Sequence, residues 1–391
     1  MPDMRTGGGP ILVCLGITLA VVAAGPKAQT GDAASVPSTT EERVRSPGWW
    51  PTKGLPPREE YLGPAACAVC HASEAATQES TPMAKACVPA GSSKYLQAHP
   101  RLSFRQGPYT YDLTRVKRGS TLAVSNGKQS VSVVVAWGFG EGEVGETYVF
   151  KRDGVYYESR LSYFPVLGAL DFSPGHPHSV PDDLVAALGF QLTAEEARLC
   201  FGCHNTAAST GGEFDPDHLI PGVTCEACHG PGAKHVAAMK AGQLEGGLSA
   251  VLNPAKLSPV DSVDYCGACH RTWADVLESG AAGVRTVRFQ PYRLESSRCW
   301  GAGDARLTCL FCHNPHKPLV RAPAAYDAVC LRCHSGARTT VGAGESRAAT
   351  CPQGTKGCVT CHMPKYEAPD THAQFTDHRI RVVSSDRYYP D

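Results

Sequence analysis

The chain has 391 residues, 37 basic and 37 acidic side chains, no formal net charge, and 40 Gly, 30 Pro and 18 Cys. The chain has no excess of basic side chains, and nucleic acid calls for a basic surface. The many Gly and Pro argue for sparse regular structure.

The first elements are targeting signals. Arg5 precedes an apolar run over 11–24 (ILVCLGITLAVVAA), and Val22-Ala23-Ala24 offers the small residues of a signal-peptidase site. The run is shorter than the roughly 20 residues that a membrane span needs. Residues 1–24 are therefore expected to be a signal peptide cleaved near Ala24, leaving no transmembrane span in the mature chain. Residues 25–60, rich in Pro, Ser, Thr and Gly, read as a disordered leader.

The next segment, 61–103, contains Cys67, Cys70 and His71 in the pentapeptide Cys-x-x-Cys-His, and this pattern occurs seven times. The other six copies hold Cys200, Cys203 and His204; Cys225, Cys228 and His229; Cys266, Cys269 and His270; Cys309, Cys312 and His313; Cys330, Cys333 and His334; and Cys358, Cys361 and His362. This is the attachment pattern of a c-type haem: two thiols form thioethers and the adjacent imidazole becomes the proximal iron ligand. A zinc site uses Cys-x-x-Cys pairs but gives no reason for His after every second Cys. Seven covalent haem c groups are expected. Their attachment takes place outside the cytoplasm, so the chain is expected in the periplasm or otherwise exported. Two propionates per haem carry the neutral chain to about −7 when oxidised and about −14 when reduced, before neighbouring charges raise some carboxyl pKa values.

Between the first and second motifs the pattern turns to β. Residues 109–115 (YTYDLTR) alternate, 121–125 follow, and Asn126-Gly127 is a hairpin turn before 131–137 (VSVVVAW). Residues 147–151 and 155–161 flank Asp153-Gly154 as a second hairpin. A small antiparallel insert is expected over 104–163, followed by a six-haem array over 164–391. In the array, Thr193-Ala194-Glu195-Glu196 is a capping box opening a helix into the second motif, and Ser258-Pro259 with Asp261 opens one into the fourth. The fold class expected is mostly irregular, with short α-helices organised around covalent haems, plus the small β insert.

Eight His remain for the distal side of seven irons. His316, three residues past His313, is too close to cap the same iron and is expected to reach a neighbour. His235 follows a Gly-Pro-Gly turn and is expected to do likewise. His378 follows Asp377, which is expected to orient its ring. His372, His218 and one of His176 and His178 are further candidates, while His99 reads as a surface or capping residue. Met83 is a thioether candidate. Cys87, Cys299 and Cys351 lie outside the motifs, and Cys299 with Cys351 is the expected pair.

The stretches YLGPAACAVCH, TPMAKA, GVTCEACHGPGAKHV, LTCLFCHNPH, GCVTCHMPK and FTDHRI resemble the multihaem cytochromes of the cytochrome c-554/c-prime, or doubled-CXXCH, type over roughly residues 61–382. The resemblance implies closely paired haems, imidazoles from distant motifs capping neighbouring irons (His235 and His316 here), and an electron-carrying chain. Met83 stands where the family often has His. The expected function is a periplasmic electron carrier in a respiratory chain, exchanging electrons with a quinol-oxidising membrane complex or a terminal reductase. The alternatives are a reductase of small nitrogen or sulfur oxyanions with one open haem, and a subunit of a larger cytochrome assembly. With every iron capped no catalytic residue is expected, and no Lys replaces the motif His.

Overall fold

The computed structural model describes residues 56–117, 119–140, 144–301, 307–335, 339–341, 344–346 and 351–383. The expected signal peptide and most of the leader lie outside them. The chain divides into two units, 1–38 and 39–391, and all that follows belongs to the second.

The dominant element is a nine-stranded antiparallel sheet, not a small insert in an irregular chain. Seven strands follow in chain order: β2 (Arg101–Gln106), β3 (Tyr109–Val116), β4 (Gly119–Ser125), β5 (Ser130–Phe139), β6 (Glu146–Arg152), β7 (Val155–Phe164) and β8 (Ala169–Phe172). β1 (Cys87–Pro89) adds to β5, and β9 (Gly189–Gln191) adds to β7. The period-2 pattern accounts for the central strands: Tyr109, Tyr111 and Leu113 of β3 and Ser120, Leu122 and Val124 of β4 point inward while their neighbours point out. Asp153 and Gly154 both take positive φ, 51° and 83°, as a two-residue hairpin requires. The sheet curls until its end strands meet, with Phe104 of β2 edge-on to Phe172 of β8 at 5.3 Å.

Inside the sheet lies a core of protein side chains, including Tyr111, Val124, Tyr148, Phe150 and Leu161, each at most 1% exposed. This corrects the expected fold class: the sheet folds around its own apolar core and does not depend on cofactors for its interior. β1, β8 and β9 are three or four residues long and carry no readable period; pairing with longer strands recruits them.

Helices fill much of the remainder, and many Gly take positive φ, several of them in turns between elements. Thr193 and Glu196 form the reciprocal capping box of Ala194–His204, and Ser258 caps Pro259–His270 by accepting from the Asp261 amide. A second apolar cluster joins the sheet to Ala194–His204: Phe201 is fully buried and meets Trp137, Phe139, Tyr156 and Phe214 at 5.9, 5.1, 5.4 and 5.6 Å. Arg58–Glu60, within the stretch expected as leader, forms a turn of 3-10 helix.

Candidate functional site

All seven pentapeptides lie at least partly in helix. Cys67 lies in Pro64–Ala68, and the others lie in Ala194–His204, Cys225–His229, Pro259–His270, Cys309–Cys312, Ala324–His334 and Cys358–His362. Helical spacing turns residues i and i+3 to one side, which brings the two thiols together.

The fold gathers the motifs. Cys67 of the first lies close to Cys225 of the third, Cys266 of the fourth to Cys309 of the fifth, and Cys330 of the sixth to Cys358 of the seventh. Cys228 lies beside Cys266, and the Tyr265 hydroxyl donates to the Cys228 carbonyl. Cys312 lies beside Cys330. The Cys203 thiol reaches the Ala268 carbonyl at 3.5 Å, setting the second motif against the fourth. The motifs therefore form a continuous run in the order first, third, fourth, fifth, sixth and seventh, with the second as a branch at the fourth. At the two ends, Cys70 and Cys361 are exposed.

Three pairs of imidazoles face each other. His71 and His235 are 6.4 Å apart between ring centres and 27° between planes; His229 and His316, 6.0 Å and 12°; His313 and His378, 6.2 Å and 48°. A metal–nitrogen bond of roughly 2.0–2.1 Å plus roughly 1.1 Å from nitrogen to ring centre, taken twice, gives about 6.3 Å for two imidazoles on opposite faces of one metal. The pairs fit an iron between them.

Tautomer and protonation also fit. Nδ1 donates to a backbone carbonyl in His204 (Ala86, 3.0 Å), His229 (Leu252, 2.7 Å), His235 (Gly247, 2.8 Å), His362 (Arg381, 2.8 Å) and His378 (Thr376, 3.0 Å). A carbonyl only accepts, so Nδ1 carries the proton and Nε2 keeps the lone pair that binds metal. Burial lowers the pKa of His204, His229 and His313 and pushes His378 down to about 4, keeping these rings neutral.

The other candidates do not face a motif imidazole among the described ring contacts, and several have other partners. His372 Nε2 meets Asp171 at 2.9 Å, and His178 Nε2 meets Asp370 at 3.3 Å, which ties the Lys365–Glu367/Gln374–Thr376 hairpin to the sheet. His218 Nδ1 pairs with Asp215. His176 is 4% exposed, stacked on Phe190 at 4.0 Å, with neither ring nitrogen hydrogen-bonded. His99 Nε2 bonds the Tyr163 hydroxyl at 2.8 Å. The half-buried Met83 contributes its carbonyl to the Ala86 and Val223 amides. Asp377 does not orient His378 through its ring; it is buried in a bidentate pair with Arg293 and a further bond from Arg381. Cys299 and Cys351 are not joined in a disulfide.

Sequence reasoning missed several contributors. Asp327 accepts from the Gly357 and Cys358 amides at 2.9 Å each, tying the sixth motif to the seventh. Glu226 holds the Leu62, Gly63 and Gly232 amides. Each acid sits inside or just ahead of a motif, among mostly apolar residues, and that placement is the signal that could have found it. Arg271 lies near Cys200, Arg288 near His204, and the two lie near each other. Neither has a carboxylate partner among the described residues, which suits haem propionates.

Residues 183–230 match the family model described as Cytochrome c554 and c-prime. That segment includes the second and third motifs, and the match supports a c-type cytochrome. The outer cell wall cytochrome OcwA is similar in structure at 16% identity and a TM-score of 0.46, over 83% of this chain and 80% of that one. No curated protein matches the chain. Among the described residues no helix is long and apolar enough to cross a membrane.

Proposed function

We propose that this chain is a seven-haem electron carrier, each Cys-x-x-Cys-His motif holding one covalent haem c. The observation that carries the reading is the continuous contact of all seven motifs combined with three imidazole pairs at metal-spanning separation. Bound haem supplies a one-electron iron couple. The protein's part is to fix and enclose: fourteen thiols attach, seven proximal His bind, and His235, His316 and His378 close the opposite face at the first, third and fifth motifs. His372, His176, His178, His218 and Met83 are the remaining pool for the other motifs. An iron held between two imidazoles, as at these three motifs, would suit electron transfer. The exposed ends at Cys70 and Cys361 suit exchange with partners, for which a quinol-oxidising membrane complex and a terminal reductase are proposed. Export after cleavage near Ala24 accords with thioether attachment outside the cytoplasm.

One observation favours the second reading, a reductase of small nitrogen or sulfur oxyanions. Among the described ring contacts no imidazole faces His204, and Arg271 and Arg288, near that motif, have no carboxylate partner among the described residues. Low-temperature EPR of the ferric holo-protein separates the two. Wholly low-spin signals that ignore nitrite and hydroxylamine are expected of the carrier. A stoichiometric high-spin signal that shifts with either ligand would establish the reductase instead.

A further inference from the structure

Glu226 occupies the first variable position of the third motif, where the other six carry Ala68, Phe201, Gly267, Leu310, Leu331 and Val359. It is 2% exposed. Its Oε1 accepts from the Leu62 amide at 2.9 Å and the Gly232 amide at 2.7 Å, and its Oε2 accepts from the Gly63 amide at 2.7 Å. These donors are not scattered. Gly63 is the N-cap of Pro64–Ala68, which carries Cys67 and leads to His71. Gly232 is the N-cap of Ala233–Lys240, which carries His235. Glu226 itself lies in Cys225–His229. One buried carboxylate therefore joins the segments that present His71, His235 and His229.

We propose that Glu226 is the positioning residue that sets His235 opposite His71 and holds the first motif against the third. This rests on the reading of His71 and His235 as the two axial ligands of one iron. The chemistry calls for a carboxylate. Two oxygens accept three amide hydrogens in charge-assisted bonds, and only an ionised carboxyl presents acceptors on both sides. Glutamine replaces one oxygen with an NH₂ donor, which would face a backbone N–H. Aspartate keeps the charge but is one methylene short, so it holds the three segments incompletely. A ligand displaced by about an ångström is enough to lose a designed geometry.

The test is the ferric EPR spectrum of holo-protein carrying Glu226→Gln, Glu226→Asp, Gly232→Ala or His235→Ala. His235→Ala is expected to convert one haem per chain from low to high spin. Glu226→Gln is expected to give a sizeable fraction of the same signal, and Glu226→Asp less. Gly232→Ala perturbs the carboxylate without removing it: its Cβ would stand 3.2 Å from Oε1, at a φ of −87° that Ala adopts freely. It decides the matter where Glu226→Gln yields no holo-protein. A high-spin signal in His235→Ala with wholly low-spin Glu226 and Gly232 variants overturns the positioning role. A His235→Ala protein that stays low-spin overturns the ligand reading itself, and the proposal with it.

Discussion

Phe201→Ala tests how the sheet supports the motif array. The ring is fully buried and wedged among Trp137, Phe139, Tyr156 and Phe214 at 5.1–5.9 Å. Removing a buried phenylalanine ring costs about 3–5 kcal/mol, with the value set by how far the site collapses. Collapse is restricted here, since Trp137 and Phe139 are fixed on β5 and Tyr156 on β7. The upper part of that range is expected, a loss of roughly a thousand-fold in the folding equilibrium. The assay is guanidinium unfolding of the holo-protein followed by far-ultraviolet circular dichroism. Val134→Ala, at a site 61% exposed on the same strand, serves as control and should change stability by less than about 0.5 kcal/mol. A loss below about 1 kcal/mol in Phe201→Ala would refute the view that this helix is anchored to the sheet through that ring.

Asp377→Asn removes the buried carboxylate that pairs bidentately with Arg293, 3% exposed, and should cost about 3–5 kcal/mol by the same melt. Burial alone would raise the Asp377 carboxyl, but the bonds from Arg293, the Arg379 amide and Arg381 outweigh it and hold the pKa below its ordinary value. That stabilisation is therefore complete above about pH 4 and is lost as pH falls further, so the acid limb of the stability profile should flatten in the variant. Glu158 behaves oppositely: burial, with the nearby Glu196 charge, pushes it up to about 7. Its contribution is complete below the unfolded value of about 4.3 and declines as pH rises towards 7; Glu158→Gln should remove that decline, and a profile identical to wild type would contradict the assignment. Asp327→Ala frees the Gly357 and Cys358 amides, and amide hydrogen exchange should accelerate at those two positions while those of β3 and β4 are unchanged.

The sequence made the local chemistry legible and the long-range geometry much less so. Cys-x-x-Cys-His is contiguous, so every motif could be read directly, and capping residues announced the helices leading into the second and fourth. The hairpin at Asp153-Gly154 and the capping box at Thr193 are equally local. The sheet was underestimated because Cys87–Pro89, Ala169–Phe172 and Gly189–Gln191 are strands only by virtue of their partners. The abundant Gly and Pro suggested irregularity, yet many mark turns between regular elements. Among the spare imidazoles, the turn before His235 and the spacing of His316 from His313 pointed away from their own motifs, and the structure sets both against neighbouring motif rings. His372 and His178 could not be sorted this way, because their carboxylate partners Asp171 and Asp370 are distant in sequence. Asp377 was noticed for its neighbour His378, whereas its partner Arg293 lies 84 residues away.

The most direct test of the account is the intact mass of the mature protein produced in a host that matures c-type cytochromes. The account predicts a chain beginning just after Ala24 and carrying seven haem equivalents, reduced to six when the two cysteines of any one motif are replaced by serine. Fewer than seven on the unaltered chain, or a count that does not fall when a motif is removed, would contradict it.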